Sequence, residues 1–383
     1  MKCMKISSTA KILLHIRSLD IGGSERQVVS LAKSMADLGA EIHIAVIKSG
    51  GQLETDILGV SNVHLHYIGE SGVVGRIRYL LRLRALINSI GFNGVYGFLP
   101  IPNLALLIAR TVRNRPSIAW GVRSSDLDFT QYDKRVKFTM KLEKWLSKFP
   151  DIIITNSRAA LAEYQLKDYP KLHHIPNAID VERFKPNPEA RVLIRNKLGI
   201  SNSAPLIGLF ARIHPMKDHA TFLKAVKILI EKTPEVRFIC AGSVSLGYSD
   251  LETSIKSAAI NMGLDKNIFW LGSRNDPEYL MAACDLTTLT SDSGEGFPNS
   301  VAESIACGIP CVSTDIGDSA NIIANFAPIV PAKNPEALAL AWESTLNRYS
   351  IKQSRIALEM RQSIITRFSC DTIASLTLEA LTS

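Results

Sequence analysis

From end to end the chain alternates short apolar runs with longer stretches of helical periodicity, and the series starts twice. In the first half the runs are ILLHIRSL (12–19), EIHIAVI (41–47), NVHLHYI (62–68), VYGFL (95–99), SIAWGV (117–122) and IIITNS (152–157). Helical patterns separate most of them, the first opening at Ser24 and running to about Leu38. A polar, proline-bearing stretch (183–205) follows and reads as a junction. New runs then appear at LIGLFAR (206–212), VRFICAGS (236–243), IFWLGS (268–273), LTTLTS (286–291) and PCVSTD (310–315). Strand–helix alternation of this kind specifies parallel sheets covered by helices on both faces. The expectation is an α/β chain of two doubly wound domains, 1–180 and 181–364. A ligand would then bind between them, at the carboxyl ends of the strands.

A length of 383 residues suits two domains that each bury a core. No apolar run is long enough for a spanning helix or a signal peptide, so the expected compartment is the cytoplasm. Six cysteines, Cys3, Cys240, Cys284, Cys307, Cys311 and Cys370, lack metal-type pairing and are expected as reduced thiols. The net charge of +8 is unevenly placed: residues up to 180 hold 24 basic against 15 acidic side chains, the remainder 20 against 21. The excess concentrates in VVGRIRYLLRLR (73–84) and KRVKFTMKLEKWLSKF (134–149). In the second, Phe138, Leu142, Trp145 and Phe149 recur at helical spacing beside Lys137, Lys141, Lys144 and Lys148. Such a basic amphipathic helix fits an anionic lipid surface. Taken alone, it fits better an ordinary core helix with a solvated lysine face. No recognition motif accompanies the charge, so nucleic acid is not an expected partner.

The chemistry concentrates in SDSGEGFPNSVAESIACGIPCVSTD. Glu295 lies in a loop between Gly294 and Gly296, and Glu303 falls in the helix that this loop opens, with Pro298 in its first turn and Gly308 at its stop. The amino end of that helix attracts an anion such as phosphate, and the two carboxylates accept hydrogen bonds from a polyol. Arg212 and Lys217, at the end of the first strand of the second domain and the start of the next helix, could neutralise a diphosphate without a metal. Gly22 and Gly23 lie in the loop that leads into the first helix and permit close approach of a ligand, or form no more than a tight turn. Asp126 and Asp128 form a DxD of the kind that holds metals elsewhere, a match common by chance. His64 and His66 share a strand face and His173 adjoins His174. Lacking acidic or cysteine partners at ligand spacing, they read as solvated or core side chains, and no metal or cofactor is expected.

Together these residues resemble glycosyltransferase family 4, the retaining nucleotide-sugar transferases of GT-B architecture. The matching landmarks are GGSE (22–25), IPNAID (175–180), ARIHPMKD (211–218), EGFPNSVAE (295–303) and ACGIPCVSTDIGD (306–318). The resemblance implies two Rossmann-like domains facing each other, with residues 365–383 crossing back to the first. It implies that Arg212 and Lys217 hold the donor diphosphate. Glu295 and the amides of Gly296, Phe297 and Asn299 would contact the sugar, Glu303 the ribose, with Gly23 opposite. Catalysis would rest on Glu295, Arg212 and Lys217. A histidine that many relatives carry in the first domain is absent, and Arg123 or Ser124 would take its space on the acceptor side with Gly22. Ala178 stands where a linker glycine is usual, and Gly317-Asp318-Ser319-Ala320-Asn321 where GGxxE is. The implied reaction moves a hexose-type sugar, most commonly from UDP, to a lipid-linked glycan or other polysaccharide acceptor. An epimerase or a non-catalytic binding protein on the same fold are the alternatives.

Overall fold

The computed structural model describes residues 10–70, 72–110, 115–123, 134–165, 171–245, 247–350 and 353–383. The described chain divides into two compact units, residues up to 178 with 368–383, and residues 179–367.

The first unit is built on a seven-stranded sheet, every neighbouring pair parallel. In chain order it runs β1 (Lys11–Ile16), α1 (Gly23–Asp37), β2 (Glu41–Val46), β3 (Val63–Tyr67), α2 (Gly72–Ile90), β4 (Gly94–Phe98) and α3 (Pro100–Ile108). β5 (Ser117–Val122), α4 (Lys134–Leu146), β6 (Ile152–Thr155), α5 (Arg158–Gln165) and β7 (Leu172–His174) follow. The spatial order is β3-β2-β1-β4-β5-β6-β7, so the winding reverses between β1 and β4. Burial on both faces explains why β1 and β4 read as nearly unbroken apolar runs. The one polar side chain inside β1, His15, is fully buried and satisfied: Nε2 lies 2.6 Å from the Tyr79 hydroxyl and Nδ1 2.9 Å from the Ala45 carbonyl. Burial lowers its pKa to about 4 against the pull of the Ala45 bond, so the ring is neutral. One face of the sheet packs on α1 through Val28, Leu31 and Met35, the other on α2 and α3 through Leu83, Ile87 and Leu106.

The second unit begins with α6 (Pro188–Leu198), β8 (Leu206–Phe210), α7 (His219–Lys232), β9 (Arg237–Ala241), α8 (Ser249–Asn261), β10 (Ile268–Gly272) and α9 (Pro277–Ala283). It continues with β11 (Leu286–Leu289), α10 (Asn299–Ala306), β12 (Cys311–Thr314), α11 (Ser319–Ile323), β13 (Ile329–Val330), α12 (Pro335–Ser350) and α13 (Gln353–Phe368). Its six-stranded parallel sheet has the order β10-β9-β8-β11-β12-β13, reversing between β8 and β11. The final helix, α14 (Cys370–Thr382), belongs to the first unit, where Ile373, Leu378 and Leu381 join the α1 side of the core. A Cβ on Gly94 would stand 2.8 Å from the Leu381 carbonyl, so β4 needs glycine there for α14 to lie against it.

Three expectations are corrected. The stretch 183–205 is no bare junction, because it contains α6. Asn187 caps that helix by accepting from the Ala190 amide at 2.9 Å, Pro188 occupies its first turn, and Gly199 ends it in the left-handed region. Arg195 on α6 is fully buried, reaching Asp285 Oδ2 at 2.6 Å and the carbonyls of Ala283, Ser201 and Ala204. β7 and β13 were not foreseen; at two or three residues they are too short to show a period. Strand β8 ends at Phe210, two residues before Arg212, because the chain there leaves the sheet toward a bridge between Ile213 and Val244. No helix among the described residues is long and apolar enough to cross a membrane. Cys240, Cys284, Cys307 and Cys311 are buried free thiols and Cys370 is a half-buried one; Cys3 lies outside the described residues.

Candidate active site

In the second unit the winding reversal brings the loops after β8 and β11 side by side. Past β8, His214 opens a short 3-10 turn, Pro215–Lys217, its Nδ1 accepting from the Met216 amide at 3.3 Å. Asp218 takes a left-handed backbone (φ 42°) and caps α7, accepting from the Thr221 amide and hydroxyl at 3.1 and 2.6 Å. That turn aims Lys217 at the loop after β11. There Thr290 donates to the Lys217 carbonyl at 2.7 Å and the Asp292 amide donates to the Met216 carbonyl at 2.9 Å, locking the two loops together.

Glu295 sits at this junction, buried, its Oε1 accepting from Ser291 Oγ at 2.6 Å and ion-paired with Lys217 Nζ. Burial alone would raise its pKa. The Lys217 charge and hydrogen bond, the Ser291 hydroxyl and the Arg212 charge outweigh that and hold it below the ordinary carboxylate range. Arg212 itself is exposed, its guanidinium 3.8 Å from Met216 Sδ. The same cations, added to burial, lower the pKa of His214, so this corner carries a positive field around a neutral imidazole. Three of the expected residues, Arg212, Lys217 and Glu295, are thus brought together.

The carboxylate loop is braced from behind by a glycine that sequence reading treated only as a departure. At Gly317 (φ 59°) an added Cβ would lie 2.3 Å from the Gly296 carbonyl and 2.8 Å from that of Glu295. The next amide, of Asp318, donates to the Gly296 carbonyl at 2.9 Å. Gly296 and Phe297 are both buried. α10 then starts at Asn299 with Pro298 as its cap residue, which makes no side-chain cap hydrogen bond. Asn299 and Glu303 are half-buried, while Val301, Ala302 and Ile305 anchor the opposite side in the core.

In the first unit the reversal lies between β1 and β4. Gly22 is the extended cap residue of α1 and Gly23 its first helical residue, one earlier than the sequence pattern placed it. Glu25 folds back over this turn: a Cβ on Gly22 would meet its carboxylate at 2.1 Å. Beyond β5, Arg123 is clamped. Nη1 donates to Asn177 Oδ1 at 2.7 Å, Nη2 to the Tyr96 hydroxyl at 2.9 Å, and the guanidinium stacks 4.3 Å from the Phe98 ring centroid. Sequence reasoning missed Tyr96, Phe98 and Asn177 as its supports. Tyr96 and Phe98 come from β4 and Asn177 from the segment after β7, and they meet Arg123 because β4, β5, β6 and β7 run side by side in the sheet. Ser124, Asp126 and Asp128 lie outside the described residues.

Residues 21–183 match the profile of Glycosyltransferase Family 4, and residues 191–363 that of Glycosyl transferases group 1. The chain belongs to the group 1/family 4 glycosyltransferases. It is similar to an N-acetylgalactosamine-N,N'-diacetylbacillosaminyl-diphospho-undecaprenol 4-alpha-N-acetylgalactosaminyltransferase of Campylobacter jejuni, 25% identical over 80% of each chain. It also resembles the UDP-Gal:alpha-D-GlcNAc-diphosphoundecaprenol alpha-1,3-galactosyltransferase of Escherichia coli, at 29% identity over 40% of this chain and 39% of that one. The crystal structure of Anabaena HepE with UDP-glucose superposes at a TM-score of 0.82, with 21% identity over 97% and 99% of the two chains, and establishes the GT-B fold.

For this glycosyltransferase the surface of the first unit corrects one expectation. α4 is not a core helix with its aromatic face inward. Phe138 (68% exposed), Trp145 (66%) and Phe149 point to solvent, and Lys148 lies over both Trp145 and Phe149. Inward instead goes Glu143, which accepts from Asn103 Nδ2 at 2.6 Å; burial raises its pKa to about 7 against that bond. On α2, Val74, Ile77 and Leu81 are exposed in the same way, between Arg76, Arg78, Arg82 and Arg84.

Proposed function

We propose that this glycosyltransferase moves a hexose-type sugar from a nucleoside diphosphate, UDP favoured, to a hydroxyl of a lipid-linked glycan in surface-polysaccharide or lipopolysaccharide assembly. The observation that carries the reading is the Lys217–Glu295 pair beside Arg212 at the carboxyl ends of β8 and β11. Two cations suit a diphosphate, and an ionised, anchored carboxylate suits sugar hydroxyls. HepE, crystallised with UDP and with UDP-glucose, and the undecaprenol-linked acceptors named for the two bacterial relatives support the donor and acceptor classes.

In the reaction proposed, the acceptor oxygen bonds to the anomeric carbon on the face from which the diphosphate departs, so configuration is retained. The bond from that carbon to the phosphate oxygen breaks, and the acceptor proton passes to the departing phosphate. Arg212 and Lys217 stabilise the charge that develops there, without a metal ion. Glu295 positions the sugar, Glu303 accepts from the ribose, and the backbone at Gly296, Phe297 and Asn299 lines the donor. In the first unit Gly23 adds to the donor side, while Gly22 and Arg123 take the acceptor side.

The membrane-facing part of the reading rests on α2 and α4, whose exposed apolar and basic residues suit the anionic inner face of a plasma membrane. The deciding experiment screens nucleotide sugars for thermal stabilisation and then follows transfer to an undecaprenyl-diphosphate glycan. Stabilisation by one UDP-sugar, turnover insensitive to chelator, product of retained configuration and loss of turnover in Glu295→Ala are expected. A Glu295→Ala protein that transfers sugar undiminished refutes the assignment.

A further inference from the structure

On the β3 edge of the seven-stranded sheet, at the amino-terminal part of β2, ligand-type side chains meet that the transfer reaction does not use. β2 and β3 are parallel, with His43 opposite His64 and Ala45 opposite His66. Alternation along each strand then puts Glu41, His43, His64 and His66 on one face. Neither strand alone shows this grouping, which is why the histidines of β3 read as lacking acidic partners.

The geometry is close. Glu41 Oε1 lies 3.0 Å from His43 Nε2, and His43 Nδ1 lies 2.8 Å from His66 Nε2. The His43 ring is 4.7 Å from that of His64 and stacks on that of His66 at 5.0 Å, with the Phe92 ring edge-on at 5.1 Å. One ligand atom from each of Glu41, His43 and His64 falls within 4.8 Å of the others.

We propose that Glu41, His43 and His64 form a binding site for one divalent transition-metal ion of the zinc type, with His66 positioning His43. Two imidazoles and a carboxylate are a zinc donor set that leaves a fourth place for water. The 3.0 Å between Glu41 and His43 is near the ligand–ligand edge, about 3.3 Å, of a tetrahedron with zinc bond lengths. His64 is exposed on the edge strand and has room to turn the remaining distance. His66, bonded to the other ring nitrogen of His43, fixes its orientation as partners of metal-bound histidines do.

Lys11 Nζ, 3.1 Å from Glu41 Oε2, is the charge an ion must displace, and at 38% side-chain exposure it can swing into water. An edge blunted only by charge would need the Lys11–Glu41 pair. It would not need a buried imidazole hydrogen-bonded at both nitrogens.

The test is equilibrium dialysis of the full, chelator-stripped chain against zinc, with circular dichroism to check folding. Saturation at one equivalent is expected. His64→Ala, at an exposed edge position, should weaken binding by about ten-fold or more, and His66→Ala by a smaller factor. His173→Ala, on the opposite edge strand, should leave it unchanged. No saturable uptake by the parent, or uptake that His64→Ala leaves intact in a folded protein, overturns the proposal.

Discussion

Glu295 and Glu143 are both buried carboxylates, and their neighbours drive them in opposite directions. Glu295 has Lys217, Ser291 and Arg212, and its folded pKa lies below the unfolded one. Its contribution to stability is therefore complete above the unfolded value, about 4.3, and fades as pH falls through the depressed one. Lys217→Ala removes its closest countercharge, and with side chains only 13% and 10% exposed the expected cost is about 3 kcal/mol at neutral pH. Urea melts should show that cost shrinking in acid. Among the described residues Glu143 has Asn103 alone, and burial raises its pKa to about 7. Stability from this group is full below the unfolded value and is lost as pH rises through the folded one. Glu143→Gln keeps an acceptor for Asn103 and has no charge to bury. It should stabilise the protein by up to about 3 kcal/mol at about pH 8 and by nearly nothing at about pH 4.

At the scale of elements, α6 and α4 carry separable consequences. α6 is pinned by Asp285, which takes Arg191 at 2.5 Å, Arg195 at 2.6 Å and the Leu206 amide at 2.8 Å. Asp285→Ala strands the fully buried Arg195 and should cost about 3–5 kcal/mol in chemical denaturation. α4 is the contrary case, because its exposed aromatics touch little of the core. A Phe138→Ser, Trp145→Ser double variant should change stability by no more than about 0.5 kcal/mol per site while sharply reducing co-sedimentation with anionic vesicles. Salt should release the parent protein from those vesicles. Vesicle binding equal to the parent's would remove α4 from the membrane-facing surface. The helical period of α4 was legible in the sequence. Which face turned inward was not, since that depended on Asn103 and on Gly97, where a Cβ would lie 2.4 Å from Asn103 Oδ1.

The whole molecule is two sheets tied by one returning chain. α14 is last in sequence, yet it completes the core around β1 and α1 with Ile373, Leu378 and Leu381. Burying such side chains contributes about 1.5–3 kcal/mol each, a sum comparable to the stability of a typical domain, about 5–15 kcal/mol. A chain ended after Phe368 should lose cooperative unfolding of the first unit and keep that of the second. Calorimetry showing both transitions unchanged would contradict that weight.

Local chemistry needs only neighbours in the chain, so the sequence alone determined the strand–helix alternation, both starts of the winding series and the residues of the carboxylate loop. Caps, periods and glycine-flanked turns are written within ten residues of one another. Tertiary structure decided which distant side chains meet. Parallel pairing placed Glu41 and His43 beside His64, the strand ends gathered Tyr96, Phe98 and Asn177 around Arg123, and Gly317 set the backing of Glu295. A parallel sheet joins strands tens of residues apart, and register across that gap is fixed by packing rather than by anything either strand carries alone.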